Sequence, residues 1–575
     1  MYPYGVKFTT FALQFLGRSI AIATMAKNTK NQKKPIFIMF FMNELHYYRR
    51  TTTSPQPKHR ARLGLQILIA LLALAQPLTA VGQTYNWWGI PNESATYYIV
   101  SAQGTDANNN TFDGIKVYKK NSGTNGVFSD NLDDYTLQTY NSYGTTYDTY
   151  YGIWANGGTN GNSTGSSEGN ASYVTLHGDK TVYIYFKTDE DKPVLIDYWD
   201  SSNAYFGITV GLLYATGQSD FTYSPELHLR VAPNATQNVV IKRNNPQYYI
   251  GSLFQVRRGA TMTINKTDDH YSTVTYNGTP LKMIFDGGAK FEYTNPETGV
   301  TTYDPVTYYG QEDYPVPGDN NTTDLKPSNG AKGGTTFRVL GNFEMYNAEI
   351  RNTYHGYNGE NASGFGSGIN CFTNNNANAS VPASQGRRTF NLTNVTFKNC
   401  HANQGPAIAF QKDDYHAAIL KNVTVDSCYA PDGVYGGVIR CLAASKSSIV
   451  LKGCTFTNNY TNAAGGAIMW GNEQPVKIMD NNGTPSEMAN NTAGRGGALT
   501  LYGSVEIINT NIHNNHAKRT NHSNLSGRGG GIVVKSTNSA GVYTNGYTVS
   551  IGTGVNIYDN TADVEGGGLY IWMDP

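Results

Sequence analysis

One six-residue phrase constrains this chain more than any other feature. Gly465-Gly466-Ala467-Ile468-Met469-Trp470 has relatives beginning at Gly366, Gly405, Gly436, Gly496, Gly529 and Gly566. The start-to-start gaps are 39, 31, 29, 31, 33 and 37 residues. A period in the range of roughly 20–50 residues is the signature of a solenoid or array. A unit of that length cannot enclose a core alone, so neighbouring units must stack to bury their apolar faces.

The phrase itself predicts how they stack. Its fourth and sixth positions are apolar in every copy: Ile369/Cys371, Ile408/Phe410, Ile439/Cys441, Ile468/Trp470, Leu499/Leu501, Ile532/Val534 and Leu569/Ile571. The fifth position varies freely: Asn370, Ala409, Arg440, Met469, Thr500, Val533 and Tyr570. Strand side chains alternate, so the first set should point into a core and the second outward, where binding positions are expected. The glycines supply a positive-φ turn and a close approach to the next coil. A second half-motif precedes the phrase, as in Asn394–Cys400, Asn422–Cys428 and Gly453–Asn459, and ends on an Asn-rich corner. Asn458, Asn490 and Asn514 are expected to stack there, bonding one another and capping the bend. Cys400 and Cys428 fall at equivalent positions of adjacent coils, as stacked thiols or as a disulfide between rungs.

The pairing of Phe456-Thr457-Asn458 with Gly465–Ile468, at about 30-residue spacing, resembles the chlamydial polymorphic outer-membrane protein repeat. The resemblance covers about residues 343–575. It implies a right-handed parallel β-helix of the pectin-lyase-like fold, displayed at a cell surface and used in adhesion. Val425-Asp426-Ser427 lacks the asparagine, and Gly405-Pro406 lacks the second glycine. No counterpart of the family's C-terminal membrane β-barrel is present. Because Met573-Asp574-Pro575 follows the strand of the last coil directly, the reading frame is expected to continue, the missing segment supplying any outer-membrane anchor.

The fold class is therefore all-β: a right-handed parallel β-helix solenoid over residues 226–575, with clear repeats over 343–575, preceded by a Tyr/Gly/Asn-rich, β-rich N-terminal region over 83–225. Within the latter, Thr181–Phe186 and Val194–Trp199 read as strands and Ala155–Asn170 as a surface loop. Its aromatics are expected to pack, as aromatics in strands do.

Export is expected as well. Lys58, Arg60 and Arg62 precede an apolar run, Leu63–Ala75, and Ala80-Val81-Gly82 follows. That is the layout of a signal peptide over 63–82, cleaved after Gly82. The run falls short of the roughly 20 apolar residues a membrane-spanning helix needs. Residues 1–62 form a leader of doubtful status, with translation starting downstream, for instance at Met42. The formal charge of +1 conceals an asymmetry: residues 1–82 hold 11 of the 43 basic groups and one of the 42 acidic groups. The remaining body carries a net charge of −9 without basic clusters, which argues against nucleic-acid binding.

Little in the array suggests chemistry. Glycoside hydrolysis needs two placed carboxyl groups. The local candidates are Asp413 and Asp414 with His416, read otherwise as a solvated loop between strands. A Gly-His-Gly and an Arg-x-Lys, which would accompany them in a polygalacturonase-like protein, are missing. So are a CxxC and a Gly-Gly-x-Gly-x-Asp calcium pattern, and no cofactor or metal is expected. Asp268, Asp269 and His270 read as a loop. Arg351, Lys398 and Asp426 read as an outward ladder of mixed sign. The sequence favours a non-catalytic, exported adhesin-like scaffold with a host surface protein or glycan as partner. The alternative is a polysaccharide lyase or glycoside hydrolase on the same scaffold. No convergence of carboxylates or basic residues on one face of three consecutive coils is apparent.

Overall fold

In the computed structural model the description covers residues 87–572, less several inter-strand segments, the longest being 155–174, 212–223, 303–333, 372–386 and 536–547. The leader, the signal-peptide segment, Asp268–His270 and Asp413 lie outside the described residues. Among the described residues no helix is long and apolar enough to cross a membrane.

The seven glycine phrases become adjacent rungs of one sheet. Ten strands stack in parallel: Phe206–Val210, Ser252–Val256, Phe337–Val339, Ile369–Cys371, Ile408–Phe410, Ile439–Cys441, Ile468–Trp470, Leu499–Leu501, Ile532–Lys535 and Leu569–Trp572. Their register aligns Ile369, Ile408, Ile439, Ile468, Leu499, Ile532 and Leu569 in a single column. We call this the glycine-phrase sheet. The other strands form parallel columns on the remaining sides of the coil, one of which runs through Asn342–Tyr346, Arg388–Thr393, His416–Lys421, Ser448–Lys452 and Val476–Met479. The architecture is a parallel β-helix.

The coil extends into the region before residue 226. Thr181–Lys187 pairs in parallel with Glu226–Val231, and Ala95–Thr105 pairs in parallel with Thr181–Lys187. On its other edge Ala95–Thr105 carries an antiparallel neighbour, Thr111–Lys120. Residues 85–575 form one compact unit. The N-terminal tyrosines pack: Tyr98, Tyr135 and Tyr185 share an apolar cluster with Ala232.

Inside, apolar residues fill the coil, and an aromatic series runs along it. Phe254 stacks on Phe337 at 5.1 Å, and contacts continue through Phe343, Phe390 and Phe410 to Trp470, each at 5.2–5.8 Å. Such pairs add about 0.5–1.5 kcal/mol beyond area burial.

Two of the corners turn on a residue with positive φ in most coils, and the first of them also holds longer stretches, residues 265–282 and 480–485. Among the described residues, the non-glycine residues with positive φ are asparagines apart from Ser427 and Asp559, and their φ lies between 43° and 62°. Asn347, Asn394, Asn422 and Asn509 turn one corner; Asn352, Asn399, Asn458, Asn490 and Asn514 turn the next. Asparagine tolerates this left-handed conformation better than other residues with a Cβ. The expected mutual bonding of Asn458, Asn490 and Asn514 is not what stabilises the bend. The ladder belongs to the following residues, Asn459, Asn491, Asn515 and Asn560. In each step Nδ2 donates to the next Oδ1 at 2.9 Å. Asn459, Asn491 and Asn515 are buried, whereas at the first corner the left-handed residues bond one another, Asn394 to Asn347 and Asn422 to Asn394, each at 3.0 Å. At the first corner the ladder even passes over a rung. Asn422 Oδ1 accepts from Asn481 at 2.9 Å. Gly453 stands between them, and a Cβ there would lie 2.8 Å from Asn481 Cβ.

The third corner uses the glycines as expected. Gly465 has φ +65°, and a Cβ on Gly466 would approach the Gly497 carbonyl oxygen at 2.0 Å. The stretch from this sheet to the next column varies in length, from residues 502–504 in one coil to 536–548 in another.

A groove on the outer face and a sealed acid–histidine pair

The outward positions of the glycine-phrase sheet are mostly not display positions. Asn370, Ala409, Arg440, Met469, Thr500 and Val533 are each 7% exposed or less, against the expectation. A second layer covers them. Met469 packs with Ala463, Ala464 and Tyr502, and the Arg440 guanidinium lies 5.5 Å from the Phe365 ring centroid. The chain entering each glycine corner folds over this face.

At the last three rungs the same face opens into a groove. A shallow cleft is lined by Arg495, Thr500, Tyr502, Arg528, Val533, Lys535, Tyr570 and Trp572. Register explains the convergence. Arg495, Arg528 and Glu565 each precede a Gly-Gly and form successive parallel bridges. Thr500, Val533 and Tyr570 occupy the fifth position of the phrase, and Lys535 pairs with Trp572 two residues further on. Thr500 and Val533 form a buried floor. Arg495 Nη2 donates to Tyr502 Oη at 3.0 Å, and Arg528 Nε donates to Glu565 Oε2 at 3.0 Å. Lys535 Nζ sits 4.8 Å from the Trp572 ring centroid and 6.0 Å from that of Tyr502, and Arg528 lies 5.9 Å from Tyr570. These distances are in the range of cation–π attraction. Basic residues meet here from two adjacent coils, Arg495 from one and Arg528 and Lys535 from the next, and the third coil adds Glu565 and the rings of Tyr570 and Trp572. The signal of this meeting lies in Arg495 and Arg528, both directly before a Gly-Gly.

The carboxylate–histidine candidates are placed very differently. Asp414 and His416 are 0% exposed, so the solvated-loop reading is corrected. His416 Nδ1 contacts both Asp414 carboxylate oxygens at 2.9 Å, and Nε2 donates to the Gly341 carbonyl at 2.9 Å. Ser447 Oγ donates to Asp414 Oδ2 at 2.6 Å and accepts from the His416 backbone N–H at 3.0 Å. Asn472 Nδ2 then donates to the Ser445 and Ser447 carbonyls at 3.0 and 2.8 Å. The network therefore bonds successive coils together at the variable corner. A general base needs a ring nitrogen aimed at a proton to be taken, and both nitrogens of His416 already have partners. Ser447 bonds the carboxylate rather than the imidazole, so no activated hydroxyl results.

Cys371 completes this cluster, its Sγ and ligand atoms of Asp414 and His416 lying within 4.8 Å of one another. Burial and the Asp414 carboxylate push the Cys371 thiol well above its usual range. Arg388, whose guanidinium is brought down to about 10 by burial, feels the same carboxylate. A neutral thiol, an engaged imidazole and a nearby cation describe a packed polar core better than a ligand set.

The five cysteines are free and buried, so Cys400 and Cys428 stack as thiols. The mixed ladder also takes the expected form: Asp286, Arg351, Lys398 and Asp426 are in register, with Arg351 Nε 3.0 Å from Asp286 Oδ2. Comparison of the chain with protein-family models, curated proteins and solved structures finds no match.

Proposed function

We propose that this protein is an exported, adhesin-like β-helix of the polymorphic outer-membrane protein type. In this reading it binds host surface proteins or glycans at a cell surface or in the extracellular medium, without catalysis. The observation that carries the reading is the groove at Arg495, Arg528, Lys535, Tyr570 and Trp572, where three consecutive coils bring charge and aromatic faces together. Aromatic faces with a few placed polar groups are how proteins bind sugar-like ligands at an open surface. The sealing of Asp414 and His416 supports the absence of hydrolysis, because a polysaccharide cannot reach a carboxylate that is 0% exposed. The full chain should bind members of an immobilised panel of host glycans and surface proteins. It should release neither reducing ends nor unsaturated ends from acidic polysaccharides. Release of either product overturns the non-catalytic reading, and no binding across the panel overturns the adhesin reading.

A further inference from the structure

The asparagine ladder ends where two cysteines begin. At the second corner each left-handed residue is followed by the one that bonds the neighbouring coil: Asn458 by Asn459, Asn490 by Asn491, Asn514 by Asn515 and Asp559 by Asn560. In the two preceding coils the left-handed residues are Asn399 and Ser427, and their successors are Cys400 and Cys428. Asn459 still reaches back, its Oδ1 accepting from the Cys428 backbone N–H at 3.0 Å. Between Cys428 and Cys400 neither side chain carries an amide to continue the series.

The two thiols stand as cross-strand partners. Register pairs Lys398 with Asp426 and His401 with Tyr429, which sets Cys400 opposite Cys428. Neighbouring strands lie about 4.8 Å apart, inside the Cα separation of roughly 4.4–6.8 Å that a disulfide needs. The Cys428 thiol already hydrogen-bonds that of Cys400, so the two sulfurs face each other. The other cysteines have no such neighbour. Cys371 and Cys441 share a column, but Phe410 stands between them. Two rungs, roughly 9.6 Å, exceed the reach of a bridge. Cys454 lies at the first corner and faces the Leu420 carbonyl. Burial, and then the bond to Cys400, hold the Cys428 thiol well above its usual range, and the thiolate is the species that attacks in disulfide exchange. Both side chains are 1% exposed or less. Cross-linking therefore belongs to folding, before this corner closes, and not to the finished coil.

We propose that Cys400 and Cys428 are joined by a disulfide between successive coils when the chain folds in an oxidising medium, a covalent rung that continues the asparagine ladder. The oxidant is a small-molecule disulfide such as oxidised glutathione. One cysteine thiolate attacks its S–S bond and displaces a glutathione thiolate; the second cysteine thiolate then displaces the other from the mixed disulfide. One S–S bond forms and one breaks. The two cysteines are oxidised, and the protons they gave up end on the two reduced glutathiones. The proposed export supplies such a medium, while the cross-link is tested in vitro, so its failure and that of export are read separately.

The full chain, unfolded under reduction, is refolded with a glutathione redox pair or with dithiothreitol. It is then alkylated in denaturant with iodoacetamide and mapped by mass spectrometry without reduction. The glutathione-refolded chain should yield one peptide pair linked through Cys400 and Cys428, with Cys371, Cys441 and Cys454 alkylated. Its Tm should exceed that of the dithiothreitol-refolded chain by about 3 °C, and the double substitution Cys400→Ala with Cys428→Ala should abolish the difference. If the chain does not refold from denaturant, the same map and Tm comparison are made on chain produced in hosts with an oxidising and with a reducing cytoplasm. Alkylation of both Cys400 and Cys428 after oxidative folding overturns the proposal. So does a bridge from either one to another cysteine, or a linked chain no more stable than the reduced one.

Discussion

Asn491 receives Asn459 twice. Its Oδ1 accepts from the Asn459 backbone N–H at 3.2 Å and from Asn459 Nδ2 at 2.9 Å. Its own Nδ2 donates back to Phe456 O and onward to Asn515 Oδ1, both at 2.9 Å. One side chain thereby satisfies the backbone of a bend and ties it to the coils on either side.

Replacing it exposes how much this matters. Asn491→Ala leaves two buried donors of Asn459 without their acceptor and the Phe456 carbonyl without its donor. At about 1–3 kcal/mol for each buried polar group left unmatched, the loss should be about 3 kcal/mol or more. Chemical unfolding followed by circular dichroism measures it; a change under about 1 kcal/mol contradicts the ladder.

Two glycines separate close approach from backbone conformation. Gly466→Ala should destabilise by at least about 3 kcal/mol, because its Cβ would stand 2.0 Å from the Gly497 carbonyl oxygen. Gly483 has φ +86°, but a Cβ added there would meet nothing within 4 Å. Gly483→Ala should therefore cost only about 1 kcal/mol. Similar Tm losses in the two variants would refute the distinction.

The sealed pair should behave as a structural unit. Asp414→Ala removes the partner of both His416 Nδ1 and Ser447 Oγ, a loss of about 3–5 kcal/mol for a broken buried pair. His416→Ala should cost a similar amount. The double variant should fall short of the sum by at least about 1 kcal/mol. Additive losses would show that the two side chains do not act together.

Acid should weaken the fold through His401, which is buried, and His355, which is half-buried. Burial lowers His401 from 6.5 to about 3 and His355 from 6.5 to about 4, with Arg243 and Arg338 also disfavouring charge on His355. Both folded values lie below the unfolded one, so the unfolded chain binds more protons across the interval. Stability is then fully present above pH 6.5 and is lost progressively as pH falls from 6.5 through about 4 toward about 3. Tm measured across this window should drop, and His401→Phe should flatten the drop. An unchanged profile in that variant would remove His401 from the account.

The scaffold was legible because its rule repeats. Ile468 and Trp470 could be assigned inward from alternation alone, and the glycines before them from the turn they must make. Adjacent asparagines were harder. Nothing in the sequence distinguishes Asn458, which adopts the left-handed bend, from Asn459, which carries the ladder, since both are small, polar and consecutive. The first rung was missed because Phe206–Val210 lacks the Gly-Gly phrase, so no repeat marks it. The groove escaped notice because Arg528 and Lys535 come from different columns and meet only once the coil is wound. Burial of Asp414 was likewise invisible, since polarity suggested a surface turn and the covering partners come from Gly341 and Ser447.

The unequal corners have an evolutionary consequence. The bend through Asn352, Asn399, Asn458, Asn490 and Asn514 turns on one left-handed residue in each of these coils, so an odd insertion there would turn inward side chains outward. The preceding corner already accommodates residues 265–282 and 480–485. The stretch leaving the glycine-phrase sheet has no such constraint, and its length already differs from coil to coil. Insertions and deletions can accumulate at such edges while the register of Ile439, Ile468 and Leu499 is untouched. The molecule is in this sense a chassis held along one fixed seam. A protein engineer could graft peptides at the other edges, at the spacing of the rungs.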